Sequence, residues 1–387
     1  MGKRKFKKTV AGTAVARKKT EVNSKENATK KTAAKYKIDQ LLDKAQDCID
    51  RFEYEVAQKF CQRALELEPD NVRVLETTGT LLLELGNPES ARQCFGRAVE
   101  VSPDTGYSKY MYLGQLFEGA QAVQCFQKGI ELMVAEKEAK EALEVAAACA
   151  SGDGRTISER DISSAYCSIA EIYMTDSCFE ENAEELCKTA VEKAIEADGE
   201  NPEAYQLMAS LQLSQQQTQL AKENINKSVS LWLPKYRCSQ NAEEPSEQID
   251  PLQMCPLTFE TRMAASKILI EVEEFETASE ILEGLLDEND EETEVWYLLG
   301  WLNYLQGEEY RGNARYYLRK AAQVYKKTKC EDKPLLKHTE ELLVELGPGE
   351  EEENEDDGDC VDNSVEDNME DEENWETDSE DEERMDH

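Results

Sequence analysis

Apolar side chains recur along most of this chain with the spacing of amphipathic helices. In residues 72–103 they form two runs of helical period, and the tripeptide Gly-Asn-Pro at 86–88 separates the runs. Small residues occupy three positions within these runs, Gly79 in the first and Ala91 and Ala98 in the second. Because a residue without bulk lets two helix backbones cross closely, the segment predicts a helix–turn–helix unit with tightly packed helices.

The second run recurs at a fixed interval. Four pairs of residues are separated by 34 positions: Ala57 and Ala91, Cys61 and Phe95, Ala64 and Ala98, and Pro69 and Pro103. Further units of the same pattern begin near Ile38, Tyr107, Ser163, Pro202 and Phe259, and a seventh contains Trp296, Leu299 and Gly300. The period and its small and large positions resemble the tetratricopeptide repeat. The resemblance implies an all-α fold, a tetratricopeptide-repeat superhelical solenoid of stacked helix pairs.

The register of the repeats and the local composition predict how the chain is divided. The expected segments are a basic arm at 1–37, repeats 1–5 at 38–234, an insertion loop at 235–256, repeats 6–7 at 257–332, a capping helix at 333–347 and an acidic tail at 348–387. The arm and the tail lack apolar periodicity, and we therefore expect both to be disordered.

Charge is distributed very unevenly over these segments. The whole chain has a formal net charge of −39, but residues 1–37 carry +11 and residues 350–387 carry −21. By difference the middle of the chain carries −29, so it is acidic in its own right. Strong negative charge disfavours binding to nucleic acid or to an anionic membrane, since both present phosphates. It favours a basic protein partner.

The sequence offers little that could support catalysis. It contains two histidines, His338 and His387, and no glycine-rich phosphate loop, metal-ligand spacing or nucleophile motif. Its twelve cysteines are scattered singly, which is typical of free thiols that pack as small apolar side chains in a reducing compartment. We expect no enzyme activity, no cofactor and no metal. Without a signal peptide or a membrane-spanning run, we expect a soluble protein of the cytoplasm and nucleus.

The repeat family also suggests where a partner would bind. In tetratricopeptide repeats, positions 2, 5, 9 and 12 or 13 of each first helix usually line a concave groove. Acidic residues stand at these positions in every unit: Asp39, Glu76, Glu118, Glu171, Glu203, Glu260 and Glu294. Apolar and aromatic residues alternate with them: Met111, Met174, Met263, Tyr297, Trp301 and Tyr304. Such a surface suits a Lys/Arg-rich peptide, whose charges pair with carboxylates while its stems pack on the rings.

A simpler interpretation exists for some of these acids. Asp39, Glu203, Glu260 and Glu294 occupy position 2, where an acidic side chain complements the positive end of a helix whatever the groove binds. The clamp by which some repeat proteins hold the acidic C-terminus of a heat-shock protein is missing, because the basic and amide residues that it needs are absent from the first three units.

Two short motifs lie outside the repeats. Two basic clusters in the arm are spaced like a bipartite nuclear address: Lys3, Arg4, Lys5, Lys7 and Lys8, followed by Arg17, Lys18 and Lys19. The alternatives are a solubilising arm or an arm that folds against the acidic tail. In the tail, Thr377 and Ser379 precede acidic residues, as acid-directed kinases prefer, and Ser364 is a further candidate for phosphorylation.

The layout of arm, seven repeats, capping helix and polyacidic tail resembles one family, the dedicated assembly chaperones of ribosomal protein L-four of the large subunit. The resemblance implies a newly made basic ribosomal protein as client, held in the groove by its long internal loop, kept soluble and delivered for ribosome assembly. It further implies an import receptor as a second partner, a monomeric chaperone, and no direct contact with nucleic acid or membrane. The alternative is a general scaffold for another complex, whose binding would depend little on salt.

Overall fold

The computed structural model describes residues 38–146, 156–240 and 255–349, and within these ranges the regular elements are all helical. In chain order the helices are α1 (38–49), α2 (Tyr54–Leu67), α3 (Val72–Glu84), α4 (Pro88–Val101), α5 (Ser108–Leu116), α6 (Gly119–Ala146), α7 (Glu159–Met174), α8 (Ala183–Ala197), α9 (Pro202–Ser214), α10 (Thr218–Gln240), α11 (Phe259–Glu271), α12 (Phe275–Glu288), α13 (Thr293–Gln306), α14 (Arg311–Thr328) and α15 (Lys333–Leu346). A short 3-10 turn, Glu308–Tyr310, precedes α14. The predicted disorder of residues 1–37 and 350–387 lies outside the described residues.

Local sequence signals set many of the helix ends. The Asn71 side chain accepts a hydrogen bond from the backbone N–H of Val74 at the start of α3 (3.3 Å), and Asn87 caps α4 in the same way. Proline follows Asn87 as the first residue of α4, where its missing N–H costs nothing. Gly86 supplies the left-handed backbone, φ +68°, that the turn before this cap requires. These signals produce the break that the sequence predicts at 86–88.

Each unit packs its first helix on its own second helix, and the small residue at position 8 makes this possible. A Cβ atom built on Gly79 would lie 2.6 Å from the ring of Phe95, and one on Gly300 would lie 2.6 Å from the Leu318 side chain. The same crossing therefore recurs in the second and seventh units, with no room for even a methyl group. Together with contacts between successive units, these pairs confirm the predicted all-α solenoid.

The hydrophobic core is a continuous string between the helix layers rather than one central cluster. Its largest described part runs from α9 to α13 and contains Trp232, Leu269 and Leu299, each with no more than 0% exposed surface. This part crosses from the fifth repeat to the sixth, on either side of residues 241–254, which lie outside the described range. The two repeats are thus packed together although the chain between them is interrupted by an insertion.

One predicted boundary was wrong. The insertion loop was expected to begin at residue 235, directly after Pro234, but α10 continues to Gln240 with Pro234 inside it. A proline removes one backbone hydrogen bond from a helix, and tertiary contacts compensate for this loss here. The Tyr236 hydroxyl donates to Glu288 Oε1 (2.7 Å), and Arg237 pairs with Glu280, so α12 holds the last turns of α10 in place.

Candidate functional site

The first helices of successive repeats form a row along one side of the solenoid. Contacts join α7 to α9, α9 to α11, α11 to α13 and α13 to α15. In stacked helical repeats such a row lines an extended concave surface, the usual place for a bound partner. We call this surface, from α1 to α13, the first-helix row.

Two acids on this row lie together without a cation. Glu171 stands at position 9 of α7 and Glu203 at position 2 of α9, the next first helix. Neither carboxylate has an ion-pair partner within 4.0 Å among the described residues. Glu203 is half-buried, whereas Glu171 is open to solvent although many protein atoms surround it, as expected for a side chain in a concavity.

The pKa values of this acid pair show the cost of keeping both charges. Burial raises the pKa of the Glu171 carboxyl above its ordinary value. Burial also raises the pKa of Glu203, the negative charge of Glu171 raises it further, and the charge of Arg160 opposes both effects. Arg160 itself is engaged elsewhere, because its Nε donates to Asp198 Oδ2 (2.5 Å) and its Nη2 donates to the carbonyl of Glu200 (2.6 Å). A cation brought to this position would therefore relieve an existing repulsion.

The corresponding position two repeats further along contains its own cation. Lys267 at position 9 of α11 pairs with Glu294 at position 2 of α13, with 2.6 Å between Nζ and Oε1. At the other end of the row, Arg73 pairs with Asp39 across α1 and α3 (3.0 Å). Asp39 and Glu294 thus already have intramolecular partners, in contrast to Glu171 and Glu203.

Glu76 occupies a more enclosed place. Its Oε1 is buried without a hydrogen-bond partner, and burial raises its pKa while the charge of Lys109 lowers it. Lys109 on α5 is fully buried; its Nζ donates to the carbonyls of Gly106 (3.0 Å) and Thr105. Burial lowers the pKa of Lys109, and the charge of Glu76 opposes this shift. This pair belongs to the packing between repeats 2 and 3 more than to an open surface.

Glu118 and Glu260 are both exposed but differ in position. Glu260 lies in the first turn of α11, as expected. Glu118, expected near the end of a first helix, instead follows α5, which stops at Leu116. Phe117 is extended at ψ 167°, and α6 begins at Gly119 with φ +54°. The third unit therefore has a shortened first helix, and its position 12 falls in the connection between two helices.

The predicted methionines are half-buried. Met111 and Met174 pack against the core cluster that joins α6, α7, α8 and α9, and Met263 packs against the cluster from α9 to α13. Each of them gives one side of its thioether chain to the core, so only the remaining side is available on the first-helix row.

The predicted aromatic residues are shared with the last helix. The Tyr297 hydroxyl lies 2.7 Å from His338 Nδ1, and the ring of Trp301 lies 5.0 Å from that of His338. The Tyr304 hydroxyl donates to Glu345 Oε1 (2.6 Å), which is also on α15. These three side chains therefore hold α15 against α13, a role that the sequence did not indicate.

Tyr297 and Trp301 still contribute to an open cavity. It has a volume of about 700 Å³ and lies between α11 and α13. Its lining consists of Lys267, Ile270, Glu271, Glu273, Phe275, Tyr297, Leu298, Trp301 and Leu305. Lys267, Glu271 and Leu305 stand at positions 9, 13 and 13 of their first helices. The positional rule that selected the acids would have found them too, had it been applied to every residue type.

The remaining predicted sites lie outside the described residues. These are the basic clusters between Lys3 and Lys19 and the phosphorylation sites Ser364, Thr377 and Ser379. Within the ranges that the structure describes, no helix is both long and apolar enough to cross a lipid bilayer. In those same ranges no three His, Cys, Asp or Glu side chains are grouped so as to hold a metal ion.

Comparison with known proteins gives consistent matches. A family model of the tetratricopeptide repeat matches residues 60–93. A Schizosaccharomyces pombe protein described as a probable assembly chaperone of rpl4 is 32% identical over 348 residues, which are 84% of this chain and 91% of that protein. A protein of the same description from Emericella nidulans is 27% identical over 371 residues, 87% of each chain. A solved structure of the assembly chaperone of RpL4 (Acl4), residues 1–338, superposes with a TM-score of 0.60 at 28% identity, covering 72% of this chain and 99% of that one.

Proposed function

This chain belongs to the family of assembly chaperones of Rpl4, and we propose that it holds that ribosomal protein by a basic segment laid along its first-helix row. It is a chaperone and not an enzyme. The segment that we propose is the long internal loop of Rpl4, which the family resemblance implies to be basic. Bound in this way, the loop would stay soluble and be kept from RNA until the client is delivered for ribosome assembly.

The uncompensated acid pair Glu171–Glu203 is the observation that supports this proposal best. Two carboxylates with raised pKa values gain more from an added cation than acids that already have a partner. A Lys or Arg side chain of the client would supply that charge and form charge-assisted hydrogen bonds. The Lys267–Glu294 pair offers less, since a client cation there would have to displace an existing one.

The spacing of the repeats fits an extended peptide. Packed helices lie about 8–10 Å apart, and an extended chain advances about 3.3 Å per residue. A client segment that follows the first-helix row would therefore pass a new repeat about every third residue. The cavity beside Tyr297 and Trp301 would take the aliphatic stem of a long client side chain, with Glu271 and Glu273 near its charge.

The test is binding of a fluorescent peptide of the Rpl4 internal loop to the full chain, measured by anisotropy at several salt concentrations. We expect the double substitution Glu171→Gln with Glu203→Gln to weaken binding about tenfold, which is about 1.4 kcal/mol, and to reduce its dependence on salt. The control removes two charges from second helices, with Glu55→Gln and Glu223→Gln, both exposed residues. Equal losses in the two variants would contradict a specific role of the acid pair. Binding that does not respond to salt in the unaltered chain would favour the scaffold interpretation.

We further propose that the chaperone works as a monomer in the cytoplasm and nucleus and that an import receptor is its second partner. The basic clusters between Lys3 and Lys19 support import, since paired Lys/Arg clusters are typical of nuclear addresses. A fluorescent fusion in which both clusters are replaced by alanine should remain in the cytoplasm, and light scattering should give the mass of one chain. Unchanged nuclear accumulation, or the mass of a dimer, would refute the corresponding part.

A further inference from the structure

Helix α14 is basic although the protein as a whole is strongly acidic. Between Arg311 and Thr328 it contains six Lys or Arg and no Asp or Glu. At 100° per residue, four of the six fall within about 80° of arc on one side of the helix. These four residues, which we call the basic face of α14, are Arg311, Arg315, Arg319 and Lys326.

The charges of this face are poorly compensated within the described part of the chain. Arg311 forms an exposed ion pair with Glu308 (2.7 Å). Arg315 Nη1 donates to the carbonyl of Leu346 (3.1 Å), and Arg319 Nη2 donates to the carbonyl of Pro348 (3.0 Å). Carbonyl oxygens satisfy the guanidinium hydrogens but carry no net charge. Among the described residues no carboxylate pairs with Arg315, Arg319 or Lys326.

The chain enters its most acidic segment at this place. Gly349, the last described residue, lies so close to Arg315 that a Cβ atom on it would be 2.7 Å from Arg315 Nε. The next eight residues, 350–357, contain seven Asp or Glu and no basic residue. The first part of the tail therefore starts beside the basic face, with opposite charge at high density.

We propose that residues 350–357 bind the basic face of α14 in the same molecule. Lengths agree: the face spans about 22 Å from Arg311 to Lys326 at 1.5 Å per residue, which about seven extended residues would cover. Each exposed ion pair is weak by itself. Because the segment is tethered next to its site, its effective concentration is in the range of mM, and several weak contacts then act together.

This contact is on a second helix, away from the first-helix row, so it does not depend on the proposed function. It would hold the start of the acidic tail away from the client surface. It would also cover a basic surface that nucleic acid or another polyanion could otherwise occupy, leaving the chaperone acidic to its surroundings.

The direct test is carbodiimide cross-linking of the full chain, which joins carboxylates to lysines in contact. Arg319→Lys adds a second reporter amine to the face beside Lys326 while keeping its charge. We expect cross-links from 350–357 to positions 319 and 326, and few to Lys59, an exposed lysine of the first repeat. Mixing isotopically heavy and light chains identifies the source of each link. Links mainly between different chains, or mainly to lysines of the basic arm, would overturn the proposal.

The second test measures protection of Lys326 from acetylation, using matched tail variants. One variant replaces the seven acids of 350–357 by their amides, and the other does the same to seven acids in 376–386. If the segment is bound for two thirds of the time, only the first variant should speed acetylation, about threefold. Equal rates in the unaltered chain and both variants would refute the proposal. So would a Lys326 that becomes protected only when heparin is added, since the face would then be a site for external polyanions.

Discussion

Replacing Glu288 by Gln is expected to loosen the junction between the fifth and sixth repeats much more than replacing Glu280 by Gln. Glu288 forms a double ion pair with Arg262, with oxygen–nitrogen distances of 2.5 and 2.8 Å, and also accepts from the Tyr236 hydroxyl. The Arg262 side chain is only 3% exposed, and that of Glu288 is 20% exposed. The pair thus links α10, α11 and α12 across the interrupted chain. Glu280 pairs with Arg237, also between α10 and α12, but these side chains are 39% and 50% exposed.

The magnitude follows from what each substitution leaves behind. Glu288→Gln leaves the Arg262 charge buried without a counter-charge, which costs about 3–5 kcal/mol, and we take about 3 because Glu288 retains some contact with water. Glu280→Gln removes an exposed pair that is worth about 0–1 kcal/mol. A loss of about 3 kcal/mol raises the equilibrium constant for local opening by about 100-fold.

Hydrogen exchange is the suitable assay, since a repeat protein need not unfold in one cooperative step. We expect the amides of α11 to lose about two orders of magnitude of protection in Glu288→Gln and less than one in Glu280→Gln. Similar losses in the two variants would refute the claim that burial makes this pair important. A loss confined to repeats 1–3 would refute its location.

The same pair fixes the sign of a pH effect. Burial alone would raise the pKa of Glu288, but the hydrogen bonds from Arg262 and Tyr236 and the charge of Arg262 hold it below its ordinary value of 4.5. The stabilisation is therefore complete above the unfolded pKa and is lost as the pH falls through the lower, folded pKa. Protection of α11 should decline in this acid range in the unaltered chain, and this component should be missing from Glu288→Gln.

Three further results are expected. Gly79→Ala should lower the melting temperature, at a cost of about 1–3 kcal/mol, because the methyl group meets the Phe95 ring, whereas Gly96→Ala, in open space on α4, should raise it; equal effects would contradict the close crossing. Since burial raises the folded pKa values of Glu171 and Glu203, replacing both by Gln should stabilise the free chaperone at pH 7, and the advantage should shrink as the pH falls through those values; a less stable variant would refute the repulsion. Burial raises the pKa of the Cys187 thiol to about 11, so iodoacetamide at neutral pH should modify it in urea but not in the folded chain, as peptide mass spectrometry would show.

The relation between sequence and structure differs from one feature to another. The helix–turn–helix unit around Gly79 and Phe95 could be predicted because its determinants are local: apolar period, a cap, a breaking tripeptide and a small residue at each crossing. The acidic character of the client surface could be predicted for a similar reason, since in a solenoid the repeat position of a residue largely decides which side it occupies. The predicted role of the individual groove residues in binding stays a prediction.

What the sequence did not reveal concerns residues that meet only when repeats stack. Position 9 of one first helix faces position 2 of the next, and this decides that Glu294 is neutralised by Lys267 while Glu203 faces Glu171. Seven acids that look equivalent in the sequence therefore differ in charge compensation. The aromatic residue Trp301 was likewise expected to face a client, but α15 covers part of it, because a terminal helix buries its apolar side on the last repeat.

The sequence by itself thus determined the repeat unit, the number of units and the sign of the charge, because these depend on spacing within about one unit and on composition. The tertiary structure alone decided that α10 runs through Pro234, that Arg262 is buried against Glu288, and that the acidic tail begins beside the basic face of α14. Those features depend on contacts between residues far apart in the chain. The free energy of such contacts comes from burial and from charges brought together, and neither exists until the helices have packed.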